Sequence, residues 1–348
     1  MNMPNIKKSV LGLLDRVYTV NSMMISGKTH FVAATHAQGK CLLFSPPDWE
    51  LSTIWENPGG TMGIVPLSSN PGGFLAIQNF FPFFKSEKAC IVYAEAKRNK
   101  KLQWNVRKIL NLPFVHRISL VNIEQAQYLI ASTICGGKEF QDDWSKPGTV
   151  YAIKIPSNIN EKWESFPIIK GISKNHGLFK GTLNKKQVLL ISGSEGVFLL
   201  NIPYTQKQTW TYECLIEKEI SDIFLYDIDN DGKKEIIAIE PFHGDIFNIY
   251  KLINGKWQSI YMKKINMGHS LWCGKIMGKL SILIGNRMGE KELMLLQHIN
   301  DKPLRFKSMI IDKDVGPTQL KVMRQRKNLL ILSANNHSNE VALYEARG

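Results

Sequence analysis

Short apolar segments recur in groups of four along the 348 residues, and this recurrence constrains the fold more than any other feature. Each segment holds five to eight residues rich in Val, Ile, Leu, Phe and Tyr, and each ends at a Gly, Asn, Asp or Pro turn. Helical periodicity is almost absent, so the segments read as strands. The groups repeat at roughly 45 residues, the spacing of a propeller blade. The clearest group contains Asp222 to Ile228, Glu235 to Phe242, Ile246 to Ile253 and Trp257 to Lys264. Similar groups begin at Asn21, Met62, His116, His176 and His269, and a last one at Thr318 has only three segments. Its missing outer strand is predicted at the other terminus, over Leu13 to Val20. Joining one N-terminal strand to three C-terminal ones closes the ring and leaves no open edge. The expected fold is all-β: a seven-bladed β-propeller of four-stranded blades, a single domain over residues 1–348.

Composition agrees with one large unit. No Pro/Ser linker or low-complexity tract interrupts the chain, no charge block is longer than Lys97 to Lys101, and 44% of residues are apolar. The N-terminal apolar stretch Val10 to Leu14 ends at Asp15 and Arg16, too short for a secretory h-region. No segment reaches the roughly 18 apolar residues of a membrane span. Cys41, Cys90, Cys135, Cys214 and Cys273 are odd in number, lack a CxxC pair and read as buried thiols of a reducing compartment. A cytoplasmic location follows as an expectation. The net charge of +14 comes from lysines scattered over turns and outer strands rather than gathered on one arm. That pattern argues against nucleic acid, and a membrane partner is not expected either. The positive field would still favour an anionic small substrate.

One stretch carries a family motif. Asp227-Ile228-Asp229-Asn230-Asp231-Gly232-Lys233-Lys234-Glu235, followed by IIAI, resembles the FG-GAP/VCBS repeat with its D-x-D-x-D-G-x-x-[DE] loop. The resemblance is sequence-specific for this blade and architectural for the other six. It implies a propeller whose loop holds Ca²⁺ through Asp227, Asp229, Asp231 and Glu235, hard oxygen donors that suit the ion. The other reading is that the aspartates accept loop amides without an ion. In both readings the loop staples strands.

Antiparallel order within a blade places the start of the innermost strand and the end of the second strand on one face near the axis. The first column then holds His116, His176, Asp222 and His269, with Asn21, Met62 and Thr318 in equivalent places. The second holds His36, Asn79, Cys135, Ser194, Glu240 with His243, Asn286 with Arg287, and Asn335 with His337. Only His30 and His298 of eight histidines fall outside. Facing imidazoles suit Zn²⁺ or Mn²⁺, and the expected ligands are drawn from His116, His176, His269, His243 and His337. His176, His116 and Glu240 are the candidate acid–base residues. Two long loops follow second strands over the same rim, Phe80 to Phe84 and Gly136 to Trp144. The Phe run suits either sugar stacking or packing between blades. Arg287, Asn79, Lys138, Trp144 and Asn335 are the candidate substrate-binding residues.

Walker, dinucleotide and H-E-x-x-H motifs are absent. The expectation is a metal-assisted lyase or dehydratase acting on a sugar or sugar acid. Architecture and the histidine rim are similar to propeller lyases and dehydratases such as oligogalacturonate lyase and aldos-2-ulose dehydratase. The alternative is a non-catalytic propeller that binds a carbohydrate or a protein. A six-bladed lactonase type fits the blade count and the donor set less well.

Overall fold

The computed structural model describes residues 3–81, 85–98, 102–301, 303–325 and 328–347. Among them lie seven four-stranded antiparallel sheets. Blades 1 to 6 take their strands in chain order within residues 17–55, 64–111, 115–172, 177–216, 222–264 and 268–312. Blade 7 combines three C-terminal strands within 317–347 with an N-terminal outer strand, which closes the ring.

The closing strand lies earlier than expected. It is Asn5–Leu13, antiparallel to Glu340–Arg347 with Asn5 opposite Arg347 and Leu13 opposite Glu340. The expected strand over Leu13 to Val20 is instead divided by a turn at Asp15–Arg16, where Arg16 has φ of 46°. Beyond the turn, Val17–Ile25 is the innermost strand of blade 1. Burial explains the difference. Outer strands are half-wet and carry polar residues, as NIKKSVLGL does, whereas Val17 to Val20 are all buried. The turn is tied to the C-terminal hairpin by Leu14 N–H to Asn339 O (2.8 Å) and Arg16 N–H to Asn339 Oδ1 (2.7 Å).

Among the described residues seven apolar clusters hold the ring, one in each seam between neighbouring blades. The middle strands are covered on both faces, which explains their unbroken apolar runs, such as Val188 to Ile191. The seam between blades 5 and 6 joins Ile237, Ile239, Phe247 and Ile249 to Ile282, Ile284 and Leu296. No described helix is long and apolar enough to cross a membrane. Cys41, Cys90, Cys135 and Cys273 are buried free thiols, while Cys214 is exposed because its outer strand faces solvent.

Candidate functional site

The side chains nearest the axis come from where the innermost strands begin. In blades 1, 3, 6 and 7 the ladder to the second strand skips one inner residue: Tyr18, His116, His269 and Thr318. A residue left out of the ladder is free to be re-aimed, which is what bulges do at propeller and barrel rims. Met62 and His176 stand just before the innermost strands of blades 2 and 4, and in blade 5 Ser221 holds that place with Asp222 next to it. Blade 1 therefore contributes Tyr18. Asn21, expected there, lies further along the strand and donates to Ile64 O (2.7 Å), a consequence of the misplaced strand start.

The second strands end on the same face. Their last residues are Thr35, Gln78, Thr133, Gly193, Glu240, Asn286 and Asn335. Thr133, Glu240 and Asn335 make hydrogen bonds within their own blades. The next residues, among them His36, Ile134, Arg287 and Asn336, border a cavity of about 800 Å³. Tyr18, Met62, Phe80, Phe114, His116, Lys138, Trp144, Phe242, His243 and His269 also border it.

The floor is a packed group of histidines. Ligand atoms of His176, His243 and His269 lie within 4.8 Å of one another. His176 Nε2 and His243 Nε2 are 3.3 Å apart. His176 is fully buried and does not itself border the cavity; His243 and His116 pack against its ring. Its Nδ1 lies 3.1 Å from Asp222 Oδ2 and 3.4 Å from Ser221 Oγ. The contact to Asp222 is at ion-pair distance but poorly aligned, and Oδ2 has no aligned hydrogen bond among the described residues. Arg117 Nε donates to His176 O (2.9 Å), and Arg117 Nη2 lies 3.2 Å from His176 Nε2. His269 Nδ1 lies 3.0 Å from Thr318 O, which turns Nε2 inward. Tyr18 Oη links His269 Nε2 (3.2 Å) to His116 Nε2 (3.4 Å).

Electrostatics keep these rings neutral. Burial, aided by Arg117, holds His116 and His176 well below the ordinary imidazole value; burial and the neighbouring His243 do the same to His269. Burial draws His243 down to about 4 against the pull of Asp222, and burial with Arg287 and Arg16 draws His36 down to about 4. Burial raises the Asp222 carboxyl to about 6 although Arg117 and His243 oppose it. The Tyr18 phenol is raised by burial and keeps its proton.

Of the expected residues, His116, His243, His269, Arg287, Lys138 and Trp144 meet at the cavity, with His176 beneath it. His337 borders the cavity, yet its Nε2 lies 3.0 Å from Lys291 Nζ and outside the three-histidine group. Glu240 is not brought to the cavity. It is buried inside blade 5, accepting from Tyr250 Oη (2.7 Å), Lys218 Nζ (2.8 Å) and Asn248 Nδ2 (3.0 Å). Asn335 is likewise inward, donating to Tyr344 Oη (2.9 Å), and Asn79 turns to the Cys90 thiol. Phe80 borders the cavity; residues 82–84 of the same Phe run lie outside the described residues. Lys138 Nζ sits 3.3 Å from the Trp144 ring centroid, and Phe242 packs edge-on against Trp144 and stacks on His243. Tyr18, Arg117, Phe242 and Asn336 were missed. A blade-1 strand starting at Val17 would have revealed Tyr18.

The acidic loop of blade 5 lies on the opposite face, where the innermost strand Asp222–Tyr226 ends. It does gather Asp227, Asp229 and Glu235, and Lys251 of the third strand reaches the same place.

Comparisons with known proteins bear on the fold. No family model matches the chain, so membership of the FG-GAP/VCBS family is not shown, and no curated protein matches it. Among solved structures, a luciferin-regenerating enzyme is similar at 11% identity and TM-score 0.53, over 99% of this chain and 96% of that one. The β-propeller domain of Cps50 (Swd1) from Myceliophteria thermophila is similar at 8% and 0.59, over 97% and 99%. A Bacteroides fragilis protein assigned as a 6-phosphogluconolactonase is similar at 12% and 0.54, over 91% and 88%. At such identities the likeness is one of fold: the chain is a seven-bladed β-propeller with a histidine group at its axis.

Proposed function

We propose that the axial cavity is the active site of a metal-assisted lyase or dehydratase acting on a sugar or sugar acid. The observation that carries this reading is the group His176, His243 and His269. Two ligands of a tetrahedral ion at about 2.0–2.1 Å stand about 3.4 Å apart, and the two facing Nε2 atoms are 3.3 Å apart. Two of the rings are steadied through their far nitrogens, by Asp222 and by Thr318 O, the outer-shell pattern of metal-bound imidazole. Neutral rings also suit ligation, because a protonated imidazole has no lone pair for an ion. The donor set fits Zn²⁺ or Mn²⁺. When bound, such an ion supplies Lewis acidity, which polarises a carbonyl or carboxylate and acidifies the adjoining C–H.

The remaining groups have separable tasks. Arg287, steadied by Asn336 Oδ1 (2.8 Å), holds an anionic end of the substrate. Trp144 and Phe242 flank a sugar ring. His116 is neutral and borders the cavity, so it takes the proton from carbon. Tyr18 keeps its phenolic proton and offers it to the departing hydroxyl. His176 acts as a ligand from below rather than as the base. The second reading, a carbohydrate-binding propeller without catalysis, is favoured by the aromatic wall of Phe80, Phe114, Trp144 and Phe242. Fold does not choose between them, since propellers host both.

Elemental analysis of protein purified without chelators tests the reading. About one transition-metal ion per chain is expected, with a rise in Tm on adding Mn²⁺ or Zn²⁺ to stripped protein. Absence of both effects removes the metalloenzyme and leaves the binding propeller. A panel of sugar acids, followed by the ultraviolet absorbance of an unsaturated product, then seeks the substrate.

A further inference from the structure

The acidic loop 227–235 of blade 5 has the donors that a Ca²⁺ ion would take, yet most of their oxygens are already engaged. Asp227 Oδ2 accepts Gly232 N–H (3.1 Å), Asp231 Oδ1 accepts Lys233 N–H (2.8 Å) and Glu235 Oε2 accepts Ile228 N–H (2.8 Å). The Lys251 ammonium contacts Asp229 Oδ2, Asp231 Oδ2 (2.7 Å) and Glu235 Oε1 (3.3 Å). The contact to Glu235 Oε1 is one of charge at a distance, without hydrogen-bond alignment. Of eight carboxylate oxygens, Asp227 Oδ1, Asp229 Oδ1 and Glu235 Oε1 are buried without a hydrogen-bond partner among the described residues, and of these three Glu235 Oε1 has the lysine charge within 4 Å. Ca²⁺ takes 6–8 oxygen ligands, so it would have to evict the lysine to gather them.

We propose that Lys251 is the cation of this loop, built into the third strand of the same blade, and that the blade folds without Ca²⁺. The lysine comes from Ile246–Ile253, a strand hydrogen-bonded to Glu235–Glu240, so its stem is held by the same sheet that carries the loop. Burial alone would lower its pKa, but the carboxylates of Asp229, Asp231 and Glu235 outweigh this and raise it, so the charge persists at any working pH. One ammonium bridging three carboxylates gives the Asp-rich turn what a metal gives elsewhere: neutralisation and a fixed distance between the first two strands. The cost is specificity for one geometry, because the cation cannot leave. This site is on the opposite face from the histidine cavity, and its test does not depend on any reaction there.

Stripped protein, dialysed into metal-free buffer, is followed by thermal unfolding and by calorimetric titration with CaCl₂. The wild type is expected to bind no Ca²⁺ and to shift in Tm by less than about 1 °C. Lys251→Met and the more conservative Lys251→Gln lose about 5 °C or more in metal-free buffer and regain most of it with millimolar Ca²⁺, since the carboxylates then need a new cation. Calcium binding by the wild type that raises Tm by several degrees overturns the proposal, whatever the variants do. A destabilised variant that ignores Ca²⁺ also overturns it, because Lys251 would then not be standing in for an ion.

Discussion

His176 is held on three sides: Asp222 and Ser221 at Nδ1, Arg117 at its carbonyl and ring, and His243 at Nε2. Asp222 belongs to the next blade, so it positions the imidazole across a seam rather than within one sheet. Replacing it by Asn keeps the shape and removes the carboxylate. Asp222→Asn is expected to lower Mn²⁺ or Zn²⁺ affinity by about 10–100-fold, measured by competition with a chelating dye. An unchanged affinity would mean that Asp222 does not orient a ligand. Glu240 makes the contrasting case. Its three partners are structural, so Glu240→Gln is expected to cost about 1–3 kcal/mol of stability in urea unfolding. It should leave Mn²⁺ or Zn²⁺ affinity unchanged; lower affinity without loss of stability would bring Glu240 back into the proposed site. Residue type was readable in both cases, since buried acids near a histidine rim invite the same reading. Direction was not: Glu240 ends its strand facing inward, and only the alternation of side chains separates it from a rim position.

Among the strands, a single step of register decided several assignments. Asn335 turns into blade 7 while Asn336 borders the cavity, donating to Val17 O (2.9 Å) and holding Arg287. A one-residue error moves a side chain to the other face, so strand ends read from apolar runs alone are the least secure points of a propeller site. The closing strand illustrates a second difficulty. Asn5–Leu13 has the weak alternation of an outer strand, and the stronger apolar run beside it drew the expected boundary eight residues too far along. Its role is testable. Removing residues 1–13 exposes the whole edge of Glu340–Arg347, and the truncated chain is expected to lose about 5 °C or more in Tm and to self-associate on gel filtration. A monomer of unchanged Tm would show that the ring is closed by its seams alone.

For the whole molecule, the five histidines around the axis, His36, His116, His176, His243 and His269, all have folded values below the unfolded one. The unfolded chain therefore binds more protons than the folded one below pH about 6.5, and stability falls as pH falls. Above that the effect is complete and flat. For His36 alone, buried and drawn from 6.5 to about 4, the loss is about 3 kcal/mol across that window. Metal-free protein is expected to lose stability steadily between pH 6.5 and 4 in urea unfolding. His36→Gln should flatten part of that slope, and a profile level from pH 7 to 4.5 would refute the burial of neutral rings.

Blade number, the one-plus-three closure and the convergence of six histidines on one end of the ring follow from the chain itself. They rest on local rules: strand length, turn residues and the antiparallel order that puts alternate loops on one face. The tertiary structure decided what those rules do not reach. It placed Tyr18 between His116 and His269, sank His176 beneath the cavity, turned Glu240 and Asn335 away and brought Lys251 into an acidic loop. Each depends on side-chain direction or on contact between distant segments, and these are settled only when neighbouring strands choose their register and pack.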